Sequence, residues 1–138
     1  MKKYKLVVKT RPIPWKRTRR SGNRYFLDEK ESAYRDELKY AWIHTHGYTN
    51  LEGALIMDCT FTFAPPKSWS DKKKKRAING DLEYTTYPDI DNLGKCVKDA
   101  LNKIAYKDDR QIVRSVNNKI YSDEDRVCIT IYEVGRNE

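Results

Sequence analysis

The chain has 138 residues, 38% of them hydrophobic and 35% charged, and a formal net charge of +8. That length suits one domain, since domains commonly run about 100–150 residues, and the apolar share can build a modest core, which excludes disorder throughout. No stretch approaches the roughly 20 apolar residues of a membrane-crossing helix, and Cys59, Cys96 and Cys128 lie far apart without CxxC spacing, which excludes a disulfide framework or a zinc knuckle.

The first apolar run, Leu6 to Val8, is too short for a signal peptide despite the lysines before it. Lys3 to Lys9 alternates and reads as a first strand. Pro12 and Pro14 then forbid regular structure, and WKRTRRSG from Trp15 reads as an exposed basic loop or ribbon. Residues 1–27 contain no acid, yet carry Lys2, Lys3, Lys5, Lys9, Arg11, Lys16, Arg17, Arg19, Arg20 and Arg24. Such an acid-free arm implies a polyanionic partner, bound with an affinity that falls as salt rises.

From Asp28 to about His46 the pattern is helical, with Asp28 as cap, acids in the first turn, Gly47 as stop, and Ala33, Leu38, Ala41 and Trp42 near one face. His44 and His46 close it, where histidine suits the negative end of the helix dipole. Leu55 to Phe63 alternates apolar and polar, the period of a strand with one buried face. Pro65-Pro66 ends it, Ser70 caps a short lysine-rich helix, and Asn79-Gly80 turns the chain. A second main helix opens at PDIDN from Pro88, with Leu93, Cys96, Val97, Ala100, Leu101 and Ile104 as its apolar stripe. Strands over Ile112–Tyr121 and Val127–Val134 close the chain around a turn at Ser122–Asp125. The order predicts a single α+β domain over 1–138, a mixed sheet of about four strands packed with two main helices.

The segment TTYPDIDNLGKCVKDALNKIAYKDDRQI, residues 85–112, gathers Asp89, Asp91, Asp99, Asp108 and Asp109 in a basic chain. Asp91 or Asn92 as helix cap leaves Asp89 just upstream, so both carboxylates crowd the amino-terminal end. Lys95 lies four residues after Asp91, and Asp99 four after Lys95, placing these three on one polar face. Asp108 and Asp109 precede the strand at Ile112, and the spacing allows one of them to join Asp89 and Asp91. Two readings stand at this point. Caps, an ion pair and a turn would explain the acids structurally. Alternatively, three carboxylates that repel one another are relieved by a hard divalent cation such as magnesium, which takes oxygen ligands and keeps several waters. Clustered acids beside DNA phosphates gain nothing electrostatically without such a metal, which favours catalysis.

These residues resemble the RusA-like Holliday junction resolvases, bacterial and prophage endodeoxyribonucleases. The resemblance is carried by PWKRTR from Pro14, FAPPKSW from Phe63, PDIDNLGK from Pro88, DALN from Asp99 and DDRQIV from Asp108, in family order and spacing. It implies a magnesium-dependent homodimer, with manganese as a substitute, that resolves four-way DNA junctions by symmetric phosphodiester hydrolysis in recombination and repair. By position, Asp89, Asp91 and Asp109 match the catalytic, metal-binding aspartates and Lys95 the catalytic-site lysine. Asp108 accompanies the third acid, and Asp99 matches a recurrent acid of the helix. Two departures are Gly94, where many members carry a larger residue, and the acidic Asp123-Glu124-Asp125 turn. The basic residues Lys16, Arg17, Arg19, Arg20, Lys67, Lys72, Lys73, Lys74, Lys75 and Arg76 are the expected DNA contacts, while Trp15 and Trp69 beside them suit packing or stacking on unpaired bases. The expected setting is the cytoplasm of a bacterial or phage-infected cell, with no membrane partner. A non-catalytic basic DNA-binding module and a nuclease for other branched substrates are the competing readings.

Overall fold

A computed structural model of the chain describes residues 1–17, 19–22, 24–26 and 28–135, with 19–21 and 24–26 as backbone only. Its elements are β1 (Lys3–Val8), β2 (Arg19–Ser21), β3 (Arg24–Phe26), α1 (Glu29–His46), β4 (Leu55–Phe63), α2 (Asp71–Ile78), α3 (Ile90–Leu101), β5 (Ile112–Tyr121) and β6 (Arg126–Glu133), with a 3-10 turn at Asp109–Gln111. One four-stranded sheet runs in the order β1-β6-β4-β5, and β2 and β3 pair in a separate ribbon. β6 is antiparallel to both neighbours, whereas β4 and β5 are parallel. A parallel pair cannot be closed by a tight hairpin. The connection between these two strands therefore carries both α2 and α3, and with them most of the residues of interest.

The register brings apolar positions together on one face: Leu6 opposite Ile129, Met57 opposite Ile131 and Phe61 opposite Val127. The expected alternation of β4 is realised, with Leu55, Met57, Cys59, Phe61 and Phe63 buried. Against this face pack Tyr34, Leu38 and Trp42 of α1 and Leu93, Cys96, Val97 and Leu101 of α3, forming one core. Each such large apolar side chain contributes about 1.5–3 kcal/mol when fully buried.

Capping follows local chemistry. The Asp28 side chain accepts from Lys30 N–H at 2.9 Å, and Ser70 accepts from Lys73 N–H at 3.2 Å. Gly47 ends α1 at φ 78°, a left-handed conformation that glycine adopts without steric cost.

The buried face of α1 differs from expectation. Ala33 is exposed and Ala41 half-buried, while Glu31 and Tyr34 are buried with Leu38 and Trp42. Glu31 tolerates burial because its carboxylate is fully engaged: one oxygen accepts Lys16 N–H at 2.9 Å and the other meets Arg35 at 2.6 Å. His46 sits edge-on to Tyr4, 4.6 Å from the Trp42 ring centre, with Nε2 2.8 Å from the Lys5 carbonyl. His44 is exposed. The three cysteines are free thiols, Cys59 and Cys96 buried and Cys128 half-buried. Burial pushes the Cys59 and Cys96 thiols up to about 12, so both stay protonated at neutral pH.

Candidate active site

α3 starts two or three residues earlier than the Asp91 or Asn92 cap would place it. Asp89 is the cap, with extended backbone and its carboxylate accepting from Asn92 N–H at 3.1 Å. Asp91 then lies in the first turn, where a carboxylate is favoured by the helix dipole. Asp89, Asp91 and Lys95 are all exposed.

Lys119, on β5, drew no attention in the sequence, where it reads as one more strand lysine. Its ammonium donates to the carbonyls of Thr86 (2.7 Å) and Pro88 (2.8 Å) and lies 4.8 Å from the Tyr84 ring centre. Burial lowers its pKa while the nearby Asp89 charge opposes that shift. Lys119 thus ties the sheet to the loop that delivers Asp89.

Gly94 has a structural reason. A Cβ there would stand 2.8 Å from Asn117 Oδ1 of β5, so a larger residue would require the Asn117 side chain to move. That turn is packed tightly rather than loosened by its glycine.

The basic arm docks on the same end of α3. Trp15 N–H donates to the Asn92 carbonyl at 2.8 Å, and Lys95 Nζ rests 3.5 Å from the Trp15 ring centre, a cation–π contact. The next residues, Lys16 and Arg17, are exposed. The exposed cations of the arm and Lys95 therefore share the end of α3 that carries Asp89 and Asp91. The side chains of Arg19 and Arg20 lie outside the described residues. Lys67, Lys72, Lys73, Lys75 and Arg76 are exposed and Lys74 is half-buried, on and just before α2.

The remaining acids have other partners. Asp99 is half-buried against α1, with Arg35 reaching it at 3.4 Å and Glu31 at 2.6 Å, so it belongs to an ion-pair network between the two main helices. Asp108 caps the 3-10 turn, accepting from Arg110 N–H at 2.9 Å in a reciprocal capping box with Gln111. That hydrogen bond, aided by the Arg110 charge, holds the Asp108 carboxyl below its ordinary value. Gln111 uses both ends of its amide: its oxygen accepts from Asp108 and Lys107 N–H, and its nitrogen donates to the carbonyls of Leu51 and Gly53. The D-x-x-Q spacing from Asp108 was a legible signal for this box. The acids of the Asp123–Asp125 turn are engaged with Arg126, Lys9 and Arg11.

Asp109 opens the 3-10 turn, and its charge contributes, after burial, to raising the Tyr106 pKa. The Tyr106 hydroxyl donates to the Lys98 carbonyl at 2.7 Å. Among the described residues no three Asp, Glu, His or Cys side chains gather as a metal-holding group. The donor set nevertheless suits a hard divalent cation in kind: Asp89 and Asp91 are oxygen donors, exposed, two residues apart at one helix start. Magnesium commonly takes only one or two protein carboxylates and retains waters.

The family model described as Endodeoxyribonuclease RusA matches residues 5–132. The chain belongs to the RusA endodeoxyribonuclease family. A relative, "Uncharacterized protein YqaN" of Bacillus subtilis (strain 168), is 39% identical over 136 residues, covering 94% of this chain and 96% of the relative. RusA-family membership implies a Holliday junction resolvase-like endonuclease, a hydrolase of DNA. Nucleases of the RusA family are generally divalent-metal dependent and act on branched DNA. No helix among the described residues is long and apolar enough to cross a membrane.

Proposed function

We propose that the chain is a magnesium-dependent, structure-selective endodeoxyribonuclease that resolves four-way DNA junctions by paired symmetric cuts, in recombination and repair in the bacterial cytoplasm. The observation that supports the proposal is the docking of the acid-free arm on α3: Trp15 N–H donates to the Asn92 carbonyl and Lys95 lies over the Trp15 ring, next to the helix start that carries the exposed Asp89 and Asp91.

In this reading Asp89 and Asp91 hold the metal, which manganese can replace, and Asp109 joins them from the 3-10 turn. Bound there, the ion would supply an activated water, polarise the phosphodiester and stabilise the leaving oxygen. Asp89 has one oxygen on the helix N–H and keeps the other for a ligand. Lys95, steered by the Trp15 ring, offers a cation to charge growing on the phosphate. Lys16, Arg17, Arg19 and Arg20 on the arm, with Lys67 and the α2 cations Lys72 to Arg76, bind the backbone phosphates of the arms. A homodimer with a two-fold axis would match the two-fold character of a junction and place one site on each of two strands.

The test is cleavage of a labelled four-way junction with and without magnesium, beside three-way, linear duplex and single-stranded DNA. Junction cuts that need the metal are expected, and Asp91→Asn should abolish them while junction binding persists. Preference for linear duplex, or undiminished cleavage by Asp91→Asn, would refute the reading.

A further inference from the structure

At the carboxyl ends of β4 and β5 the chain leaves a cleft of about 560 Å³, lined by Arg11, Pro65, Lys67, Trp69, Tyr84 and Tyr121, with Asp125 at its floor. Its volume lies in the range of ligand pockets, about 300–1,000 Å³. The rings form a continuous series: Tyr84 lies 4.7 Å from buried Phe63 and 4.7 Å from Tyr121, and Trp69 lies 5.4 Å from Tyr121. Trp69, Tyr84 and Tyr121 are each half-buried, so the core holds them while the cleft exposes them.

The rim is cationic. Lys67 is exposed beside the cleft, Lys73 Nζ stands 4.0 Å from the Trp69 ring centre, and the Arg11 guanidinium lies 5.2 Å from the Phe63 ring centre. Asp125 accepts from Ala64 N–H at 2.8 Å and pairs with Arg11 at 3.5 Å, so Lys67 and Lys73 carry the positive charge of the rim. Flat aromatic walls with cations at the edge fit a flat aromatic ligand carrying negative groups on either side, which is the description of a nucleotide within a strand.

The cleft also adjoins the proposed metal site through one loop. Tyr84 and Thr86 line the cleft, Tyr84 OH donates to the Tyr87 carbonyl at 2.9 Å, and Lys119 binds the carbonyls of Thr86 and Pro88 immediately before Asp89.

We propose that this cleft binds an unstacked nucleobase of a DNA strand at a branch point, with Lys67 and Lys73 meeting the flanking phosphates. The proposal deepens the nuclease reading and rests on it for the placement of the branch, but base binding can be measured separately.

The test measures affinity of the full chain for a fluorescein-labelled single-stranded 12-mer and for a linear duplex of matched length. Trp69→Ala should weaken single-strand binding at least about fivefold, the low end for loss of one base–aromatic stack. Trp69→Phe should restore most of it, and duplex binding should stay level. Tyr121→Leu, checked by its thermal transition, serves as the second variant should Trp69→Ala fail to fold. Equal losses on both DNAs, no loss on either, or a change in oligomeric mass showing that a second copy covers the cleft would each overturn the proposal. Magnesium cleavage by the unsubstituted chain, run alongside, separates the two readings. If branched DNA is left uncut while Trp69→Ala selectively loses the single strand, the cleft stands and the nuclease reading falls. If junctions are cut and the Trp69 variants bind like the parent, the cleft alone falls.

Discussion

Asp89-x-Asp91 and Asp108-Asp109 look alike in sequence: two acids opening an element in the same segment. In the structure both pairs begin with a cap, Asp89 on α3 and Asp108 on the 3-10 turn. They then diverge. Asp89 spends one oxygen at 3.1 Å on Asn92 N–H and is otherwise exposed, whereas Asp108 also faces the Arg110 guanidinium at 3.6 Å and is locked into a box with Gln111. A carboxylate is available for a ligand in proportion to the oxygens its own fold leaves unspent. By that measure the start of α3 is the open site and Asp108 is structural support for its neighbour Asp109.

The largest expected effect tests this division directly. Asp109→Asn should lower junction cleavage on the order of 10²-fold, as expected when an electrostatic contributor to the transition state is removed. Asp108→Asn, which retains a capping side chain, should leave cleavage near that of the parent. Comparable losses in the two variants, followed with end-labelled junctions, would break the comparison.

A smaller effect concerns how the open pair is held. Ala for Gly gains about 1 kcal/mol in an ordinary exposed helix. At Gly94 the new Cβ would meet Asn117 at 2.8 Å, and overpacking costs typically about 1–3 kcal/mol. Gly94→Ala should therefore lower the urea midpoint. The pair Gly94→Ala with Asn117→Ala should recover part of it. A raised midpoint in the single variant would mean that α3 does not lean on β5 there.

The smallest effect is on the acid side. Asp108 has a folded-state pKa depressed below its ordinary 3.8. The folded state thus binds that proton less readily, so its contribution is present above pH 3.8 and is lost as pH falls through the depressed value. The stability gap between parent and Asp108→Asn should be greatest near neutrality and close as the pH drops below 3.8 through the depressed folded-state value. A gap that stays constant in urea titrations would deny the carboxylate its role in the turn.

Much of the fold was legible because its signals are local. The alternation of Leu55–Phe63, the caps Asp28 and Ser70, and the apolar stripe of α3 depend on neighbours within a few residues. The face of α1 was less legible because alanines carry little apolar weight. The residue that displaced them, Glu31, is buried through Lys16 N–H 15 residues upstream and through Arg35 of its own helix, which also reaches Asp99 on α3. Lys119 was invisible for the same reason: its carbonyl partners lie 33 and 31 residues away. The acids themselves were found by type and spacing. Spacing reports which helix face a carboxylate shares, while its distance from Asp109 depends on how the 102–111 segment returns to the sheet.

The hydrogen bond from Trp15 N–H to the Asn92 carbonyl has a consequence for how this protein can vary. It fixes the exit point of the arm at the helix that carries Asp91, ahead of the β2–β3 ribbon. Under the proposed function, insertions or deletions within the ribbon change reach along DNA without altering the origin from which that reach is measured. Changes of length between Pro12 and Trp15 would shift that origin itself. Grip can diversify on one side of Trp15 while the chemistry on the other side stays in place.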